Sequence, residues 1–116
     1  MQIECAFDRH AFTATVEGNP TARDLLAMLP TELIIEDYST NEKIAYLPRK
    51  LIERGATPFG AEQPGDLCYY APWGNLVFYY GPYRDAQGLI RLGRLDGGTK
   101  PLMTRGKFAL RLALAD

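Results

Sequence analysis

The residues best suited to contact a ligand crowd into one stretch of the chain. Tyr69, Tyr70, Trp73, Phe78, Tyr79, Tyr80 and Tyr83 are seven of the thirteen aromatic residues, and they fall within fifteen positions. Flat apolar faces with polar tips suit a small planar molecule or a peptide segment. The same rings could equally be core residues whose hydroxyls reach water. Two groups of cations could supply a polar anchor. Arg49, Lys50 and Arg54 make one segment locally positive, and Arg91 and Arg94 lie three apart in a strand-like run. An arginine fork matches the geometry of a ligand carboxylate or phosphate. At a period of two, Arg91 and Arg94 fall on opposite faces, with Arg91 on the side that could line a cleft. Trp73 lies in the turn sequence Pro72-Trp73-Gly74-Asn75, where it can serve either as a lid over the core or as an exposed stacking wall.

Other chemistries find little support. Cys5 and Cys68 sit in apolar runs without metal-ligand spacing, and two cysteines make no disulfide framework. Neither has a base nearby in sequence to activate a thiolate. The single histidine, His10, falls at a hairpin tip without companions for a metal site. Glu36 and Asp37 are adjacent on a strand and so point to opposite faces, which excludes a carboxylate pair for acid–base work. Gly97-Gly98 belongs to no phosphate loop or dinucleotide fingerprint. No metal and no cofactor is therefore expected. Thirteen basic against fourteen acidic residues give a net charge of -1, which speaks against a counterion-displacing nucleic-acid surface. No apolar run approaches the ~18 residues of a membrane helix, and no charged-then-apolar leader opens the sequence. The expectation is a protein of the reducing cytoplasm, with no membrane partner.

These residues need a scaffold. With 116 residues, 47% hydrophobic and 23% charged, the chain suits one domain, residues 1–116, around one core. Alternation predicts strands at Gln2–Phe7 and Phe12–Val16, joined as a hairpin through Asp8-Arg9-His10. Pro20 suits a first helical position, and Asn19 or Thr21 can cap. Ala22, Leu25, Leu26 and Leu29 recur at helical spacing before Pro30 ends the helix. Leu33–Tyr38 and Lys43–Leu47 read as strands around the turn Ser39-Thr40-Asn41-Glu42. Residues 48–65 read as a long loop, with a helical turn placed near Arg49–Arg54. Asp66–Ala71, Leu76–Tyr80, Leu89–Leu95 and Lys107–Leu114 complete the strands, the last with Phe108, Leu110, Leu112 and Leu114 inward. Eight short strands with one or two short helices predict a mainly β protein, a closed or nearly closed barrel with a sandwich as the alternative.

Two stretches resemble the cyclophilin fold family. Gly65-Asp66-Leu67-Cys68-Tyr69-Tyr70-Ala71-Pro72, followed by Gly74-Asn75 and Leu76-Val77-Phe78-Tyr79, is similar to that family's Gly-x-Leu-Ser-Met-Ala-Asn-Ala segment and following strand. Arg91-Leu92-Gly93-Arg94-Leu95 is similar to its Val-Phe-Gly-Lys/Arg-Val segment. The whole chain looks closer to the small bacterial and archaeal cyclophilin-like proteins of uncharacterised function. Gly65, Asp66, Tyr69, Pro72, Gly74, Phe78, Gly81, Leu89, Ile90, Leu92, Gly93 and Arg94 carry that pattern in order. The resemblance implies a closed eight-stranded cyclophilin-like β-barrel with helices at its ends. It does not carry the prolyl isomerase site. There is no Phe-His-Arg strand, the family's glutamine falls on Leu76, its late histidine falls on Leu89, and only the pocket phenylalanine has a counterpart, Phe78.

The reading is therefore a binding module rather than an enzyme. A small molecule or Xaa-Pro peptide would sit near Tyr70, Trp73, Phe78 and Tyr80, anchored by Arg49 or Arg91. The alternatives are a weak prolyl cis–trans isomerase acting against Phe78 and a structural subunit of a homodimer that buries its tyrosines. A groove predicts three exposed aromatics beside an arginine. An isomerase predicts a guanidinium beside Phe78.

Overall fold

A computed structural model describes residues 1–54 and 60–115. Eight antiparallel strands close into a barrel: β1 (Gln2–Phe7), β2 (His10–Val16), β3 (Thr31–Tyr38), β4 (Glu42–Tyr46), β5 (Asp66–Tyr70), β6 (Asn75–Tyr79), β7 (Leu89–Leu95) and β8 (Lys107–Leu114). Their order around the wall is β1-β2-β7-β5-β6-β4-β3-β8, with β8 paired back onto β1. Closure leaves no edge strand unpaired, which resolves the barrel-or-sandwich choice in favour of the barrel.

The period-two patterns decide which side chains enter. In β1, Ile3, Cys5 and Phe7 are buried while Gln2, Glu4 and Ala6 are exposed. The same alternation brings in Leu33 and Ile35 from β3, Leu67 and Tyr69 from β5, Leu76 and Phe78 from β6, and Leu110 and Leu112 from β8. Leu114 departs from the expectation. It lies at the strand terminus, 46% exposed, where the wall ends, and Phe108 at the other terminus is only partly covered. Tyr69 is fully buried and its hydroxyl accepts the Leu51 backbone N–H at 3.1 Å, so a polar tip inside the core is satisfied.

Helix α1 (Pro20–Ala27) starts as the sequence suggests. Asn19 caps it, accepting the Ala22 N–H, and Pro20 opens the first turn. Thr21, the other candidate cap, is buried and donates to the Ile52 carbonyl instead. Ala22 and Leu25 of α1 and Leu51 of the loop after β4 join the barrel core. No helical turn forms over Arg49–Arg54. Among the described residues the second short helix is a 3-10 turn, Lys100–Met103, which buries Leu102.

One strand breaks its period. On β5, Leu67 faces Gly93 but Cys68 faces Arg91, so Leu92 is the extra residue of a bulge in β7. Beyond the bulge the phase reverses. Arg91 and Arg94, expected on opposite faces, both approach one carboxylate, Asp66, at 3.8 and 2.6 Å.

Asp96, just after β7, latches the barrel's first hairpin. It accepts Thr13 Oγ1 at 2.6 Å, Thr15 Oγ1 at 2.5 Å and Gln2 Nε2 at 3.0 Å. The two hydroxyls, then Gln2, hold its carboxyl below the usual range against the opposing effect of burial. A depressed folded pKa contributes stability that is complete above the unfolded pKa and is lost as pH falls through the folded one. Asp96→Asn should therefore lower the melting temperature at neutral pH by about 3 °C, a loss of roughly 0.5–1 kcal/mol once solvent exposure is allowed for. It should also flatten the acid side of the stability profile below about pH 4. Melting curves from about pH 2 to about pH 7 check both effects.

Candidate functional site

The outer face of β4, β5 and β6 is the candidate site, and register builds it. Residues directly opposite in antiparallel strands share a face. Tyr38, Glu42 and Tyr79 form one row across β3, β4 and β6. Ile44, Val77 and Cys68 form the next row across β4, β6 and β5. Tyr46, Asn75, Tyr70 and Leu89 form the third. The alternate residues Ala45, Leu76, Phe78 and Tyr69 fill the barrel. The rows enclose a cleft of about 300 Å³ lined by Tyr38, Glu42, Ile44, Tyr70, Trp73, Asn75, Val77, Tyr79, Ala86 and Leu89. Its floor is a second apolar cluster outside the barrel, made by Ile44, Cys68, Val77, Tyr79 and Leu89 with Tyr70 and Tyr83 packed against it. Strand β6 is thus buried on both faces.

Trp73 reaches the cleft through the β5–β6 turn. The N–H groups of Trp73 and Gly74 both return to the Tyr70 carbonyl, at 3.2 and 2.9 Å. Gly74 takes φ +72°, a conformation that favours glycine and lets the turn close. The indole is about half exposed, so it is a wall rather than a plug. It meets Tyr38 at 5.4 Å and Tyr70 at 5.5 Å between centroids, near perpendicular to both.

The polar lining is sparse. Glu42 is the charged residue of the cleft, and among the described residues it joins no ion pair. Burial holds its carboxyl above the usual range, against the hydrogen bond from Tyr79. Burial, and then the nearby Glu42 charge, push the Tyr79 hydroxyl up in turn. Asn75 is almost wholly buried. Its Nδ2 donates to the Leu76 carbonyl at 3.0 Å, while its Oδ1 has no partner among the described residues.

Behind the cleft a buried network fixes its Tyr79 wall. Asp66, fully buried, accepts Arg94 Nε at 2.6 Å, the Tyr83 hydroxyl at 2.6 Å and the Gln63 N–H at 3.1 Å. The Tyr83 ring stacks on Tyr79, 3.6 Å between centroids and 4° from parallel. Cys68 lies against the same tyrosine, Sγ 3.6 Å from its hydroxyl, and burial pushes its thiol up to about 12. That protonated, enclosed thiol is a packing group.

Of the residues singled out from sequence, the structure brings Tyr70 and Trp73 together at the cleft. Phe78 is sealed inside the barrel, between Lys43 and Leu67 in register, and no guanidinium can stand beside it on a surface. Tyr80 packs on the barrel core and its hydroxyl accepts Arg105 Nη1 at 3.2 Å. Arg49 grips Asp24 of α1 with both terminal nitrogens, at 3.0 and 2.9 Å, away from the cleft lining. Arg91 bonds Glu17 Oε2 and the Gly60 carbonyl, each at 2.8 Å. A groove predicts three exposed aromatics beside an arginine; the cleft has two, Tyr38 and Trp73, and a carboxylate in place of the arginine. Tyr38, Glu42, Asn75 and Tyr79 complete it. The short turn between Tyr38 and Glu42 hints at their pairing, but the pairing of β4 with β6 that adds Tyr79 and Asn75 spans a long loop and has no local signal.

A family model described as the cyclophilin-like family matches residues 5–113. No curated protein matches the chain. Among solved structures, the solution structure of a hypothetical protein from Archaeoglobus fulgidus is similar with a TM-score of 0.69 and 14% identity, covering 99% of this chain and 95% of that one. At that identity the likeness shows the fold alone.

Proposed function

This chain belongs to the cyclophilin-like family, and we propose that it is a ligand-binding module whose site is the outer cleft over β4, β5 and β6. The observation that carries this reading is the composition of the cleft: aromatic walls over an apolar floor, with Glu42, which joins no ion pair among the described residues, and Asn75, whose Oδ1 has no partner there. Small-molecule sites combine apolar walls with a few orienting polar groups in this way. Exposed Trp73 and Tyr38 contribute contact area that folding does not bury. A cleft of about 300 Å³ favours a small molecule. The burial of Phe78 weighs against a proline held on that ring, so the peptide and isomerase alternatives lose their support.

The test is a thermal-shift screen of polar metabolites on the wild type and on Trp73→Ala. A ligand at about a hundred times its Kd stabilises by roughly 2.7 kcal/mol, a rise of several degrees. Hits should stabilise the wild type and lose about 2 kcal/mol of affinity, roughly thirtyfold, in Trp73→Ala. Hits that stabilise both proteins equally would place the ligand elsewhere and overturn the reading.

A further inference from the structure

Resting on the reading of this cleft as a ligand site, we infer that its ligand is a small organic cation, an alkylated ammonium that also carries a hydrogen-bond donor. Charge complementarity selects it. The charged residue in the lining is Glu42, and no cation among the described residues pairs with it. The amide of Asn75 has a fixed orientation, because Nδ2 is spent on the Leu76 carbonyl. The atom left over, Oδ1, is an acceptor. A carboxylate or phosphate ligand would meet like charge at Glu42 and find no cation in the lining. A neutral flat molecule would use the rings but leave the carboxylate uncompensated in a partly buried place.

The rings point the same way. Tyr38 and Tyr70 both stand near perpendicular to Trp73, and Tyr79 adds a further ring over an apolar floor. Aromatic walls meeting at right angles around a carboxylate suit an ammonium with apolar substituents, because ring faces attract cations and the substituents bury against them. The cleft volume of about 300 Å³ fits such a headgroup. Burial holds the Glu42 carboxyl above its usual range, so the fold carries the ionised group at a cost that a neighbouring cation would offset. A donor on the ligand would complete Asn75.

Trp73 is the chain's single tryptophan, so its emission reports on the cleft. The probes are choline and its neutral isostere, in which carbon replaces the nitrogen. Choline should change the emission saturably and bind about tenfold more tightly than the isostere. Glu42→Gln should abolish that preference and leave the isostere's affinity unchanged. Should that variant perturb the barrel, Tyr38→Leu removes an exposed ring instead and should weaken choline more than the isostere. Equal affinity of the two probes, or a preference that survives Glu42→Gln, would overturn the cation while leaving the cleft as a ligand site. Silence with both probes, alongside hits in the metabolite screen that depend on Trp73, would also overturn the cation alone. Silence with both and hits indifferent to Trp73→Ala would remove the site itself.

Discussion

Gly93→Ala is expected to cost about 3 kcal/mol or more, close to the upper range for a single methyl group. A Cβ at this position would lie 2.2 Å from the Thr15 carbonyl oxygen, 3.0 Å from its carbon and 3.0 Å from Val16 Cα. All three are backbone atoms of the paired strand β2, so no rotamer change can make room. The strands must separate, and β2–β7 is a seam that closes the barrel. Denaturant unfolding should show a lowered midpoint with little change in slope. Gly97→Ala is the control, because a Cβ there meets nothing within 4 Å, and it should shift stability by less than about 0.5 kcal/mol. Equal stability of the two variants would contradict the close approach of β7 to β2.

Asp66→Ala is expected to cost about 3 kcal/mol, the lower end for breaking a buried ion pair, because Arg94 is partly exposed and water can take up its guanidinium. The lost interactions are the hydrogen bonds from Arg94, Tyr83 and the Gln63 N–H, together with the approach of Arg91. Tyr83→Phe, which removes one donor and leaves the ion pair, should cost only about 1.5 kcal/mol. Both substitutions remove the same Tyr83–Asp66 hydrogen bond, so the double variant should be less destabilised than their sum. The consequence reaches the cleft, because Tyr83 stacks on Tyr79 and Asp66 holds Tyr83. Near-ultraviolet circular dichroism of the tyrosines should therefore change in Asp66→Ala even at temperatures where the barrel remains folded. An unchanged tyrosine spectrum would separate Asp66 from the site.

How far the sequence could be read depends on how local each signal is. Alternation is local, and it places Ile3, Cys5 and Phe7 or Leu110 and Leu112 inside the barrel without reference to any other strand. The Asn19 cap and the Pro20 start are local too. The glycines and aromatics of residues 65–94 carry the family pattern, and the family follows from it. The errors lie where the structure depends on distant partners. Leu92 inserts a bulge against β5, and one extra residue is enough to turn Arg91 toward Asp66. Phe78 and Tyr79 are both buried because clusters form on both sides of β6, which period-two reasoning cannot anticipate. Glu42 reads as turn material in sequence, yet it opens β4 and stands between two tyrosines. Arg49 looks like an anchor for a ligand until α1 supplies Asp24. A charged side chain's partner is a fact of the folded state, and this is why Tyr70 and Trp73 of the cleft are legible in the sequence and its electrostatics are not.

The most direct test of the cleft as a ligand site is an amide chemical-shift map of the protein titrated with a compound that stabilises it. The account predicts shifts at Glu42, Ile44, Asn75, Val77 and Tyr79, at Tyr70, and at the Trp73 indole, with Arg49, Tyr80 and the β1–β8 seam unmoved. Shifts centred on Arg49 or on Tyr80, with the Trp73 indole silent, would contradict it.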